Sequence, residues 1–514
     1  MANAMATVIV NGENLQISHI EPVARKRLKI GLGKDVREAL ASVQRIIKKA
    51  IDDRKVIYGV TTGFGALSDV FISKGQRKQL QKNIIKSHSA GVGDVFDEEC
   101  VRAIMLLRIN SLAKGNSGVR YRTLKTLIEM LNKGVHPVVP EKGSVGASGD
   151  LAPLAHLALV LIGEGKAIYK DKLLTGKQAM KAAGVRLCEL EAGEGLALIN
   201  GTQVMTGVGA LVVNDSVKLL KTADIAAGMS LEVLLGSNIE LNEKIHRARP
   251  HNGQITSAEN LRRITKKSEI ISSHEDCARV QDAYSIRCCP QVHGASMDAL
   301  NYVKKVIETE MNSATDNPLI FPDTGQIFNN GGNFHGQPVA LAMDFLTIAL
   351  SEIANISERR IERLVNPLLS GLPAFLVKNP GLNSGMMIAQ YTAASLVSEN
   401  KTLSHPASVD SIPTSANKED HVSMGTIAAR KCRQVLFNVE NVIAIELLCA
   451  AQALDLFTNL KAGAGTLEAY KLIRKHIPHL EEDRILSNDI EKMQELVHDG
   501  AVLASVEKKI GVLK

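Results

Sequence analysis

A mostly helical fold is expected for this chain of 514 residues, and three observations lead there. Two stretches, Leu341 to Val365 and His421 to Leu460, run without proline and with one glycine between them, Gly425, so long helices are expected in both. Alternating β-branched runs are scarce beyond the first 20 residues, which argues against a large sheet. Glycine and small polar residues gather in four short loops instead of being spread as turns.

Taken in order, Thr7 to Val10, Asn11-Gly12 and the run to Ile17 predict a hairpin, because Asn-Gly between apolar runs favours a two-residue turn. Asp97 can cap a helix with Glu98 and Glu99 in its first turn and Val101, Ile104, Met105 and Leu112 on one face. Pro367 ends the first long helix; in the second, Val435, Val439, Val442 and Ile443 recur at helical spacing. Helices of this length bury a stripe against neighbours, as in a bundle. A division into an N-terminal domain, 1–215, and a central and C-terminal bundle, 216–514, follows. The loops are Tyr58 to Gly65, Gly143 to Asp150, Asn200 to Gln203 and Asn329 to His335, and in a helical protein such loops carry function.

Composition narrows the function. Net charge is +7 and is not clustered, and with 17 Phe and Tyr and no Trp there is little to stack on bases, so no nucleic-acid partner is expected. The most apolar stretch, Leu151 to Gly163, is shorter than the roughly 20 residues that span a bilayer, so no membrane partner is expected. The first ten residues lack a basic segment ahead of their apolar run, so no signal peptide is expected. Seven cysteines without a C-x-x-C pair read as free thiols in a reducing, cytoplasmic compartment. No H-E-x-x-H occurs and no metal is expected.

Ala147-Ser148-Gly149 can react with itself. If the backbone turns sharply, the Gly149 nitrogen can reach the Ala147 carbonyl carbon and close a five-membered ring; glycine tolerates the strained geometry. Loss of two waters, one of them from the Ser148 hydroxyl, leaves a methylidene-imidazolone and lowers the mass by about 36 Da. Alone, the tripeptide is weak evidence, and a plain flexible turn is the commoner meaning. The longer string Gly-Ser-Val-Gly-Ala-Ser-Gly-Asp-Leu-Ala-Pro-Leu-Ala-His, 143–156, resembles the aromatic amino acid ammonia-lyases and aminomutases, and the similarity runs from Tyr58 to the final long helices.

That resemblance implies the helical fold of the fumarase and aspartase superfamily, a methylidene-imidazolone (MIO) formed autocatalytically from Ala147, Ser148 and Gly149, no external cofactor, and a homotetramer with shared active sites. Ser87-His88 and Glu419 are similar to the members that act on histidine; phenylalanine enzymes place a glutamine at the position of Glu419. A carboxylate can accept a charge-assisted bond from an imidazole N–H but is an uncompensated charge beside a phenyl ring. Val280 to Gly294, with its Cys288-Cys289 doublet, is close to the animal-type histidine enzymes. Lys418 and Thr62 depart from the glutamine and asparagine common in relatives, and Gly336-Gln337-Pro338 is similar to tyrosine aminomutases.

The implied reaction is loss of ammonia from L-histidine to give trans-urocanate, the first step of histidine degradation. By the same resemblance Tyr58 is the general base, with Tyr284 assisting proton handling or holding the amine. Arg287 would take the substrate carboxylate through a bidentate fork. Asn200 would bond the carboxylate or the prosthetic group, with Gln281 nearby; Phe334 would pack on the ring system, and His88 and Glu419 would hold the imidazole. Taken singly, each has a plainer structural meaning: a core histidine, a surface acid, a packed aromatic, a surface ion pair. An aminomutase or a phenylalanine or tyrosine lyase on the same scaffold, and a scaffold that has lost its chemistry, are the alternatives.

Overall fold

The computed structural model describes residues 7–274 and 280–514. It is mostly helical, and among the described residues the sheets have only two or three strands. The chain divides into two units: the first holds Met1–Asn214, Lys304–Asp344 and Pro406–Arg430, the second Asp215–Val303, Phe345–His405 and Lys431–Lys514. The division after Asn214 lies beside the boundary read from the sequence, but two later segments that the sequence groups with the bundle belong to the first unit.

In the first unit, the strand Val8–Val10 does not turn back on itself. It pairs in parallel with Ile30–Leu32, so the expected hairpin is corrected. The amides after the turn are taken elsewhere: Gly12 N–H donates to Asn110 Oδ1 (2.9 Å) and Leu15 N–H to Asn312 Oδ1 (2.9 Å). Long-range partners thus outweigh the local turn preference.

The helix Glu98–Ala113 begins as expected, with Asp97 accepting from Cys100 N–H. It is buried nearly all round instead of along one stripe, and most of its polar groups find partners inside, Arg108 Nε being an exception. Arg102 donates to the Val23, Ala24 and Leu131 carbonyls, which makes a buried guanidinium tolerable.

In the second unit a fully buried ion pair joins long helices. Arg360 Nε and Nη2 meet Glu446 Oε1 and Oε2 at 2.5 and 2.8 Å, and Ser230 and Ser357 donate to the same carboxylate. These groups come from the helices Gln203–Val233, Gln337–Val365 and Gly425–Leu454.

Both predicted long helices are present with shifted ends. The first starts at Gln337, with Pro338 in its first turn where a missing N–H costs nothing; the second runs Gly425–Leu454, shorter than the sequence pattern. These two, and not Leu151–Leu161, are long and apolar enough to cross a bilayer, and 72% and 83% of their apolar windows are buried in the protein. None of the six described cysteines is in a disulfide; Cys277 lies outside the described residues.

Candidate active site

The four glycine-rich loops converge within the first unit. They line a cavity of about 950 Å³ whose walls include Tyr58, His88, Ala147, Ser148, Asn200, Phe334 and Glu419. Of the eleven candidates from the sequence, these seven line it directly, and Gly149, next in the chain after Ser148, is buried behind them. Gln281, Tyr284 and Arg287 belong to the second unit and are not among the lining residues. There Tyr284 is 71% exposed, with the Arg287 guanidinium 5.0 Å above its ring, while Gln281 and Arg287 line a different hollow beside Glu240 and Asp282.

The loop carrying the tripeptide is held from two sides. Gly149 pairs with Gly201 in a parallel bridge, at φ +71° and +148°, and a Cβ on Gly149 would overlap the Gly201 carbonyl. Only glycine fits both the conformation and the space. Asp150, fully buried, was missed as a functional candidate. Its Oδ2 accepts the Val204 and Met205 amides at 2.9 Å each, at the N-terminus of the helix Gln203–Val233, where the helix dipole favours a carboxylate. Its Oδ1 accepts from Ser144 (2.9 Å) and Thr426. From the far side, Met424 N–H bonds the Val145 carbonyl and Ser423 Oγ the Gly146 carbonyl, both at 2.9 Å.

Ser148 is half-buried and its Oγ donates to Glu419 Oε1 at 2.9 Å. Glu419 Oε2 accepts from Thr414 Oγ1 at 2.8 Å. His88, the last residue of the helix Arg77–His88, meets Ser87 Oγ through Nδ1 at 3.1 Å. Burial lowers its pKa, against the bond to the Ile84 carbonyl and the charge of Glu419, which favour the imidazolium.

Asn200 Nδ2 is committed to Asp316 Oδ1 (2.9 Å) and the Asn317 carbonyl (3.1 Å), while its buried Oδ1 has no partner. The free atom is an acceptor, which suits an incoming N–H or O–H better than a carboxylate. Burial pushes Asp316 up to about 6, against the lowering influence of Arg108. Asp316 and Arg108, unlike Asn200, do not stand out in the sequence, because their meaning lies in their neighbours.

Tyr58 Oη accepts the Gly65 amide at 3.0 Å. Its pKa is nevertheless raised: burial is the larger cause, the Gly65 bond opposes it, and the charges of Glu419 and Asp316 add to it. The cavity walls alone therefore keep this phenol protonated, and a base role requires added positive charge.

Among the described residues of the second unit, Asp224, Cys289 and His293 form a buried group whose ligand atoms lie within 4.8 Å of one another. The Asp224 carboxylate already accepts from Ser257 (2.8 Å), Asn260 (3.0 Å) and His293 Nδ1 (2.8 Å). Burial alone would lower the His293 pKa, but Cys289 and Asp224 outweigh it and raise it to about 9. A carboxylate with three donors in place acts here as a counter-ion to the imidazolium.

A chain from Alkaliphilus oremlandii described as histidine ammonia-lyase is 55% identical over 506 residues, 98% of this chain and 99% of that one. The crystal structure of histidine ammonia-lyase from Trypanosoma cruzi superposes with a TM-score of 0.91 at 44% identity, covering 98% of this chain and 95% of that one. Tyrosine aminomutase from Streptomyces globisporus gives 0.93 at 39% identity, covering 99% and 100%. Lyase and mutase scaffolds thus superpose equally well on this chain, so the backbone does not separate them. The family model for aromatic amino acid lyases matches residues 15–475. With its four loops gathered around Ser148 and that match spanning nearly its whole length, the chain belongs to the aromatic amino acid lyase family.

Proposed function

We propose that this chain is a carbon–nitrogen lyase that removes ammonia from L-histidine to give trans-urocanate. One observation carries the choice of ring: the cavity that contains Ser148 also presents a glutamate, Glu419, with His88 in the same wall. An imidazole N–H can satisfy that carboxylate, whereas a phenyl ring would desolvate it without a partner.

The tripeptide suits the MIO group that its family uses. Ala147 is 5% exposed, Gly149 has the conformation and clearance described above, and the unpartnered Asn200 Oδ1 borders the same space. Formed from Ala147, Ser148 and Gly149, the group would supply an electrophile for the substrate amine. The chain's own side chains do the rest. Asn200 Oδ1 accepts from the substrate ammonium, Phe334 packs against the ring system, and Glu419 and His88 hold the imidazole. Tyr58 takes the β-proton at Oη, and the Gly65 amide steadies the phenolate.

Arg287, Tyr284 and Gln281 complete the site from another copy of the chain in a homotetramer. Arg287 binds the substrate carboxylate, and its positive charge lowers the Tyr58 pKa toward the working range. The lack of a disulfide among the six described cysteines fits a cytoplasmic enzyme.

Purified protein is incubated separately with histidine, phenylalanine and tyrosine while the products are followed by ultraviolet absorbance. Urocanate from histidine supports the proposal. Cinnamate or coumarate without urocanate overturns the ring assignment, and a β-amino acid product indicates a mutase.

A further inference from the structure

We infer that Thr414 is a specificity-determining positioning residue, whose hydroxyl fixes one oxygen of Glu419 so that the other is presented to the substrate ring. This rests on the histidine reading of the cavity.

Thr414 and Glu419 close a tight turn through an antiparallel bridge, with N–H to carbonyl distances of 2.9 and 3.3 Å in the two directions. Three consecutive residues between them, Ser415, Ala416 and Asn417, are left-handed at φ +50°, +49° and +68°, and none is glycine. Such a run costs free energy and persists only where its surroundings enforce it, which is the pattern of a functional site. The Ser415 to Lys418 backbone bond (3.0 Å) tightens the turn, and Ser415 Oγ accepts the Ala66 amide (3.2 Å), which ties it to the loop that carries Tyr58.

Within this frame the carboxylate is held at both oxygens, Oε2 by Thr414 and Oε1 by Ser148. The two bonds have different fates. If the Ser148 hydroxyl is lost when the prosthetic group forms, Oε1 loses its donor, while Oε2 stays with Thr414. One acceptor is then open, at a fixed place, to a ring N–H. A glutamate without Thr414 can rotate toward water, so it must be ordered anew for each histidine and is less costly to leave beside a phenyl ring.

The test uses full-length Thr414→Val, which keeps the volume and removes the hydroxyl, and Thr414→Ser, which keeps the hydroxyl. Circular dichroism and intact mass establish folding and the loss of two waters before kinetics with histidine and phenylalanine. Expected for Thr414→Val is a KM for histidine raised about tenfold, as for a lost bond to a charged group, with kcat changed by less than about threefold. Its preference for histidine over phenylalanine, as a ratio of kcat/KM values, should fall by a similar factor, and Thr414→Ser should restore both. Unchanged KM and preference in Thr414→Val overturn the inference, as does a Thr414→Ser enzyme equally impaired. Wild-type protein without histidine turnover overturns the underlying reading of the site instead.

Discussion

Ser148 and Glu419 are 2.9 Å apart, so a change at either is felt by the other. Ser148→Ala cannot lose the hydroxyl. Its chain should weigh about 20 Da more than the matured wild type by intact mass spectrometry (about 36 Da from the two retained waters less about 16 Da for the deleted oxygen) and give no urocanate, with circular dichroism unchanged. Glu419→Gln keeps the shape and removes the charge. Histidine kcat/KM should fall by roughly 10- to 100-fold, while turnover of phenylalanine holds or rises in the same assay. Arg287→Ala should raise the KM for histidine far more than it lowers kcat, and titration calorimetry showing undiminished affinity would contradict its role. These side chains are legible in the sequence through the resemblance of the motifs that carry them, since each taken singly has a plainer structural meaning. Asp150, Asp316 and Thr414 are not, because each matters only through groups distant in the chain, such as Val204 and Met205 for Asp150.

At the scale of elements, Asp150 joins the tripeptide loop to the start of the helix Gln203–Val233. Burial raises its pKa, while Thr426, Met205, Ser144 and Val204 donate to the carboxylate and oppose the shift. Asp150→Asn would place an NH2 against those donors, so the variant should lose about 2–4 kcal/mol of stability, read from the midpoint of urea unfolding. The elements themselves were legible to different degrees. Proline and capping signals place the helices at Asp97 and before Pro367 correctly, since those signals are local. The Asn11-Gly12 hairpin fails because Asn110 and Asn312 capture the amides that follow. Leu341–Val365 begins four residues late, because the sequence cannot show that Pro338 lies inside the first turn and not before it.

For the whole molecule, buried titrating groups set two pH limits. Glu232 in the second unit is raised to about 7 by burial, against the bonds it receives from Thr466, Gly463 and Ser268. The folded state holds that proton more tightly than the unfolded chain, so its stabilisation is full below about 4.5 and is lost as pH rises through about 7. His136 in the first unit is lowered to about 4, chiefly by burial, with Glu98 opposing and Arg102 adding. Its contribution is full above about 6.5 and is lost as pH falls through about 4. Glu232→Gln should therefore flatten the fall in melting temperature between about pH 5 and 8, measured by scanning calorimetry, without altering the acid limb.

The first unit also draws on late parts of the polypeptide: Glu419, which contacts Ser148, and Thr426, which contacts Asp150 beside the tripeptide, lie in Pro406–Arg430, more than 250 residues beyond those partners. A nascent chain on the ribosome has made Ser148 long before it has made those partners. Any condensation that depends on them waits until translation is nearly finished, and a truncated product ending before Pro406 should retain the two waters by intact mass. If the methylidene-imidazolone forms from that tripeptide, it would thereby be withheld until the polypeptide that must shelter it exists.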